Sequence, residues 1–169
     1  MIIHIDRLDD GTSRQNWSGE IAGIDLIYPG EVADVQVAAS VHRLRDLITV
    51  RGQIRARLVR PCDRCLGEAQ MALESGLHAV IRRRSVTLPP EEGDEGEYLL
   101  TITEEDGEVD LTDQIRDRLV VEVPMAVHCS EECKGLCPRC GADLNQGPCT
   151  CPPEENVRWA GLGSIRSES

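Results

Sequence analysis

From Ile48 the chain alternates with a period of two. Ile48, Val50, Ile54, Ala56 and Leu58 are apolar, and Thr49, Arg51, Gln53, Arg55 and Arg57 lie between them. Successive strand residues face opposite sides of a sheet, so this run predicts a strand with one buried and one wet face. A second run follows at Met71, Leu73, Leu77, Ala79 and Ile81, and a weaker one precedes at Val35, Val37, Ala39 and Val41. Together they predict an antiparallel meander, with Pro61-Cys62-Asp63-Arg64-Cys65-Leu66-Gly67 joining two of its strands.

The pattern then changes. Residues 88–97 hold two prolines followed by five acids within 91–97, which predicts a flexible, solvated connector. Further on, Leu111, Ile115, Leu119 and Val123 recur every four residues. Asp110 stands where an N-cap belongs, and Pro124 ends the run. The expectation is one amphipathic helix of about three turns packed on the sheet. From His128 to Pro153 periodicity is lost and cysteines accumulate, so order there has to come from metal. The predicted class is α+β: a twisted antiparallel meander, partly barrel-like, with one packed helix and a C-terminal zinc-binding module. The expected division is 1–127 for sheet and helix, 128–155 for the zinc module packed on it, and 156–169 for a tail.

Composition sharpens the core. The chain has 169 residues and no phenylalanine, and its aromatic residues are Trp17, Trp159, Tyr28 and Tyr98. The core is therefore expected to be aliphatic. Met1-Ile2-Ile3-His4-Ile5-Asp6-Arg7 is not a basic leader running into an apolar stretch, and no segment approaches the roughly 20 apolar residues of a membrane helix. The expected location is the cytoplasm, where reducing conditions favour metal binding over disulfides.

The eight cysteines carry the strongest chemistry. Cys137-Pro138-Arg139-Cys140-Gly141 places two sulfurs within reach of one tetrahedral ion, and the glycine permits a tight turn that aims amides at sulfur. Cys149 and Cys151, after the turn residues Gly147 and Pro148, complete a four-thiolate zinc site. The remaining Cys62, Cys65, Cys129 and Cys133 form a second site by elimination, with His128 as an alternative ligand. A redox-active Cys-x-x-Cys needs a helix after its first cysteine, whereas a period-two strand follows Cys65. His4, His42, His78 and His128 are scattered, and no phosphate loop or nucleophile elbow occurs. The chain is therefore expected not to be an enzyme.

Charge divides the chain. Residues 1–87 hold 12 arginines and 11 acids, whereas residues 88–169 hold 6 basic residues and 19 acids, within a net charge of −12. Arg51, Arg55 and Arg57 share the polar strand face, with Arg60 and Arg64 beyond them, Arg43 and Arg45 before, and Arg82-Arg83-Arg84 later. Two readings stand: a stripe that contacts an RNA backbone, or a solvated face balanced by Glu68 and Glu74. With few aromatic platforms, any RNA contact would be electrostatic. The acidic half suits a basic protein such as a ribosomal protein.

Pro61-Cys62-Asp63-Arg64-Cys65-Leu66, the Asp-Leu-x-x-x-Ile helix ending in Val-Pro, and the block from Cys129-x-x-x-Cys133-Lys134-Gly135-Leu136-Cys137 through Asn145 resemble the YceD family. Its members are called large ribosomal RNA subunit accumulation proteins, with relatives in chloroplasts. The resemblance runs from about residue 30 to 162, including Arg158-Trp159-Ala160-x-Leu162. It implies a non-catalytic factor for 23S rRNA accumulation and large-subunit assembly; the division of charge adds precursor rRNA, a basic ribosomal protein, or both as the expected partners, with no membrane or small-molecule substrate. The competing classes are a redox-sensitive zinc-thiolate protein and a zinc-clamped adaptor that touches no RNA.

Overall fold

The computed structural model describes residues 1–28, 30–84, 99–103 and 106–152. The expected acidic connector at 88–97 and the tail from 156 lie outside these residues. Seven strands and one α-helix are formed among the described residues: β1 (Ile2–His4), β2 (Gly11–Ala22), β3 (Val32–Leu44), β4 (Leu47–Pro61), β5 (Glu68–Arg84), β6 (Leu99–Thr103), β7 (Glu108–Asp110) and α1 (Thr112–Val120). One sheet runs β2-β3-β4-β5-β6, and β1 pairs with β7 in a second of two strands.

The three alternating runs are the centre of the large sheet. β3, β4 and β5 pair antiparallel in unbroken register, from Asp34↔Arg57 to Leu44↔Leu47 and from Pro61↔Glu68 to Leu47↔Arg82. One face of this sheet buries Val35, Val37, Val41, Ile48, Val50, Ile54, Leu58, Leu77, Ala79 and Ile81. Against it pack Ile3 and Ile5 from the N-terminus and Leu111, Ile115 and Leu119 from the helical segment. At roughly 1.5–3 kcal/mol per buried aliphatic side chain, this aliphatic layer drives the fold without phenylalanine.

Three expectations are corrected. The sheet is open and not barrel-like: β2 and β6 are its edges, and β6 joins β5 in parallel, which a meander does not do. A further strand, β2, precedes the predicted ones. The helix spans nine residues, Thr112–Val120, and Asp110 belongs to β7. Asp110 still serves the helix start: its Oδ1 accepts from the Thr112 amide at 2.9 Å and from the N-terminal ammonium at 3.0 Å. Its carboxyl is held below the usual range by the Thr112 hydroxyl, then the ammonium and the Thr112 amide, all overcoming burial. Pairing of β7 with β1 therefore outcompetes an earlier helix start. No helix among the described residues is long and apolar enough to cross a membrane.

Candidate metal centres and the arginine face

The turn between β4 and β5 is set by backbone hydrogen bonds. The Cys62 amide donates to Gly67 O at 2.7 Å, and the Leu66 amide donates to Cys62 O at 2.9 Å. The same two bonds recur at Cys137, whose amide donates to Ala142 O at 2.8 Å while the Gly141 amide returns to Cys137 O at 2.9 Å. Both Cys-x-x-Cys segments are thus the same knuckle. Both need a left-handed residue four positions after the first cysteine, and Gly141 (φ 71°) supplies it at no steric cost. In the first knuckle Leu66 occupies that position at φ 59° with an exposed side chain. A leucine there is strained by about 1–2 kcal/mol. Leu66→Gly is therefore expected to stabilise the protein by about 0.5–1 kcal/mol once the greater freedom of glycine in the unfolded chain is subtracted. Urea denaturation checks this, and a loss of stability would show that Leu66 makes a contact outweighing its strain.

The fold brings the cysteines together in two fours. The sulfurs of Cys62, Cys65, Cys129 and Cys133 lie within 4.8 Å of one another, as do those of Cys137, Cys140, Cys149 and Cys151. Neither group includes a histidine, so His128 stays outside the cluster it adjoins in sequence. All eight thiols are free. Cys62 and Cys133 stand 3.9 Å apart, Cys65 and Cys129 3.6 Å, and Cys137 and Cys149 3.4 Å. Four sulfurs at about 2.3 Å from a tetrahedral ion are separated by about 3.8 Å, whereas a disulfide requires about 2.05 Å. The spacing and the sulfur-only donors fit a tetrahedral, thiophilic cation.

The thiols are also electrostatically prepared. Burial opposes ionisation of Cys62, but the amides of Cys65, Arg64 and Cys129 outweigh it and lower the thiol to about 6. Amides of Cys140 and Arg139, with the Cys149 thiol, likewise bring Cys137 down to about 6. The Gly67 amide favours the Cys65 thiolate, yet burial and the neighbouring thiols push that group up to about 12. Cys140 in the same way, with burial and Cys137, pushes Cys151 to about 12. Each cluster thus pairs a thiol that ionises readily with one whose ionisation its neighbours oppose, an opposition that a bound divalent cation would relieve.

The two clusters are knitted to each other and to the sheet. Gly135 (φ 74°) lets the segment between Cys133 and Cys137 approach the first knuckle so closely that a Cβ there would meet Arg64 O at 3.0 Å. The Leu136 amide donates to Arg64 O at 3.1 Å, and Asn145, from the loop of one cluster, points its Nδ2 at Cys133 Sγ of the other at 3.6 Å. Asp63 accepts from the Val127 amide at 2.6 Å and binds Arg60, which also reaches Asp25 at 2.8 Å.

The arginines divide. Arg51, Arg55 and Arg57 are exposed on the outer face of β4, with Arg55 Nε 3.1 Å from Glu74. Arg60 falls on an even position and is turned inward at 2% exposure, so it leaves the stripe. Arg64 belongs to the first knuckle, where its Nη1 donates to Cys133 O at 3.1 Å. Arg43 binds the carbonyls of Ile5 and Leu8, and Arg83 lies 3.8 Å from Asp6. Arg84 has no described side chain. Sequence reasoning missed Asp25, whose role depends on a buried arginine that no local pattern reveals.

The chain is thus an open sheet that carries two four-cysteine clusters on paired knuckles. Residues 50–166 match the family described as large ribosomal RNA subunit accumulation protein YceD, and the chain belongs to that family. It is 27% identical over 164 residues to "Large ribosomal RNA subunit accumulation protein YCED homolog 1, chloroplastic" of Arabidopsis thaliana, covering 83% of this chain and 51% of the relative. The Zea mays protein of the same name is 28% identical over 156 residues, covering 78% and 52%. An uncharacterized protein of Mycobacterium tuberculosis is 28% identical over 141 residues, covering 83% and 66%. The chain spans about half the length of the plant relatives it matches. No solved structure matches it.

Proposed function

We propose that this chain is a non-catalytic, cytoplasmic factor supporting accumulation of large-subunit ribosomal RNA, held in shape by zinc at both cysteine clusters. The family match over residues 50–166 carries the reading of role. Zinc is supported by the four cysteine sulfurs of each cluster lying within 4.8 Å of one another, a donor set that suits this ion better than magnesium or calcium. Its chemistry here is to cross-link chain segments, with Cys62, Cys65, Cys129 and Cys133 holding one ion and Cys137, Cys140, Cys149 and Cys151 the other.

The outer face of β4, with Arg51, Arg55 and Arg57, meets precursor rRNA through its phosphates. The acidic half, exposing Asp113, Asp117, Glu131 and Glu132 among the described residues, holds a basic ribosomal protein. Depleting the protein in its host is expected to lower 23S rRNA selectively against the small-subunit RNA. An unchanged ratio sinks the role. The triple variant Arg51→Glu, Arg55→Glu and Arg57→Glu is expected to lose co-sedimentation with precursor rRNA, and retained co-sedimentation removes the RNA face from the reading.

A further inference from the structure

Pairing registers turn the outer face of the sheet into a grid. One row across the strands reads Arg14, Ser40, Arg51, His78. The next reads Asn16, Ala38, Gln53, Gly76; then Ser18, Gln36, Arg55, Glu74; then Glu20, Asp34, Arg57, Ala72. Charge is not spread evenly over it. Arg55 is paired with Glu74 at 3.1 Å, and Arg57 stands across from Asp34, which itself faces Glu20. The first row has two arginines and no acid. Among the described residues no ion pair engages Arg14 or Arg51.

That row also borders a concavity. A cleft of about 620 Å³ lies between Arg14, Ser40, Arg51 and His78 on one side and Asn16 and Gln53 on the other. Small residues line it as well: Ala38, Ala39 and Gly52. At Gly52 the β3 backbone comes so near that a Cβ would meet Ala38 O, and Ala39 Cα at 2.8 Å. Rows along a strand are about 6.8 Å apart and neighbouring strands about 4.8 Å, so Arg14 and Arg51 stand about 10 Å apart with the Ser40 hydroxyl between them. Long arginine side chains span that gap and offer planar, forked donors suited to phosphate oxygens.

We propose that Arg14, Ser40, Arg51 and His78 form the phosphate-binding row for single-stranded RNA, with the adjoining ribose over Asn16 and Gln53. This rests on the reading that the sheet face meets RNA, and it moves the centre of that contact from Arg55 and Arg57 to a row on which β2 and β5 act with β4. Recognition is of backbone and not of stacked bases, because the four rows present no aromatic ring beyond His78.

The test is fluorescence anisotropy of a labelled oligouridylate of about 12 nucleotides with the full chain, titrated between roughly 50 and 200 mM salt. Arg14→Gln with His78→Gln, which leaves β4 untouched, is expected to weaken binding at least about fivefold. Arg14→Gln with Arg51→Gln is expected to weaken it about tenfold or more and to flatten the salt dependence by about 1.4 in log–log slope, at 0.7 per lost phosphate contact. Arg55→Gln with Arg57→Gln is expected to change affinity less than about twofold, and unchanged thermal midpoints keep folding out of the comparison. Loss confined to the Arg55/Arg57 pair overturns the row while leaving the RNA reading in place. A polyglutamate peptide binding as tightly as the RNA overturns it in favour of an acidic protein partner. Absence of RNA binding by the unaltered chain at the lowest salt overturns the RNA reading and the row with it.

Discussion

Chelating the metal from protein loaded with zinc at both clusters is expected to release residues 125–151 from the fold while the five-stranded sheet persists. Between Val121 and Pro152 the chain forms no helix or strand, only the isolated bridge Leu136↔Asp143. Its contribution to a buried cluster is Val127 and Cys133, against Cys62 and Ala69. So little apolar burial cannot offset the backbone entropy of ordering some 27 residues at about 1–2 kcal/mol each. On the proposed reading, zinc would supply the difference, since a structural zinc site contributes roughly 10–16 kcal/mol of apparent free energy in small domains. The sheet has its own aliphatic core and does not need the ion. Amide hydrogen exchange with and without chelator reads this directly: protection vanishes over 125–151 and stays in β3, β4 and β5. Cys137→Ser is expected to leave one zinc per chain and to expose 136–151. Protection over 125–151 that survives chelation would show that hydrogen bonding alone orders the module.

Arg60→Leu is expected to cost about 3–5 kcal/mol, because it strands buried acid. Asp25 is 1% exposed, and its partners are the Arg60 guanidinium at 2.8 Å and the amides of Ile27 and Tyr28 at 2.8 and 3.2 Å. Arg60 also spans both oxygens of Asp63 at 2.8 and 2.7 Å and lies 5.0 Å over the Tyr28 ring. Its removal breaks the tie between the sheet and the first knuckle. Burial opposes ionisation of Asp25, but Arg60 and the two amides overcome it and hold the carboxyl below its usual range. A folded-state pKa below the unfolded value of about 3.9 stabilises the protein above that pH, and this contribution is lost as pH falls through the folded value. Asp25→Asn should therefore flatten the acid limb of the stability curve. In Arg60→Leu the deficit should be largest near pH 7 and shrink toward pH 3, where Asp25 protonates. Urea denaturation at both pH values checks this, and a loss below about 1 kcal/mol at pH 7 would mean that water reaches Asp25 once the arginine is gone.

The strands that were legible are those buried cleanly on one side. β3, β4 and β5 keep one inward parity throughout, interrupted only at Gly52 and Ser75, so their elements and inward faces follow from parity. β2 escaped because it is an edge strand whose inward positions are Ser13, Gln15, Trp17, Gly19 and Ile21, of which only Ile21 is fully buried. β1, β6 and β7 are too short for a period to register, and they exist because a partner strand is in place. The helix showed its buried stripe of Leu111, Ile115 and Leu119, but its start was displaced by the pairing of β7 with β1, which sets Asp110 opposite the distant Ile2.

The site shows the same division. Two Cys-x-x-Cys knuckles are local objects, written in residues that turn back within six positions, and their spacing is readable because backbone geometry alone sets it. That Cys62 meets Cys133, 71 residues away, is decided by the sheet, which delivers the β4–β5 turn to the segment leaving the helix. The arginines separate likewise. Parity along β4 assigns Arg51, Arg55 and Arg57 to the outer face. Strand register, a relation between distant segments, puts Arg55 beside Glu74 and sets Arg14 and His78 beside Arg51. The sequence by itself determined the aliphatic strands, the helix stripe and the knuckles, because each is encoded over a few residues by periodicity and turn chemistry. Tertiary structure alone decided the open sheet, the inward arginine and the charge of each row, because these depend on which distant backbones share hydrogen bonds.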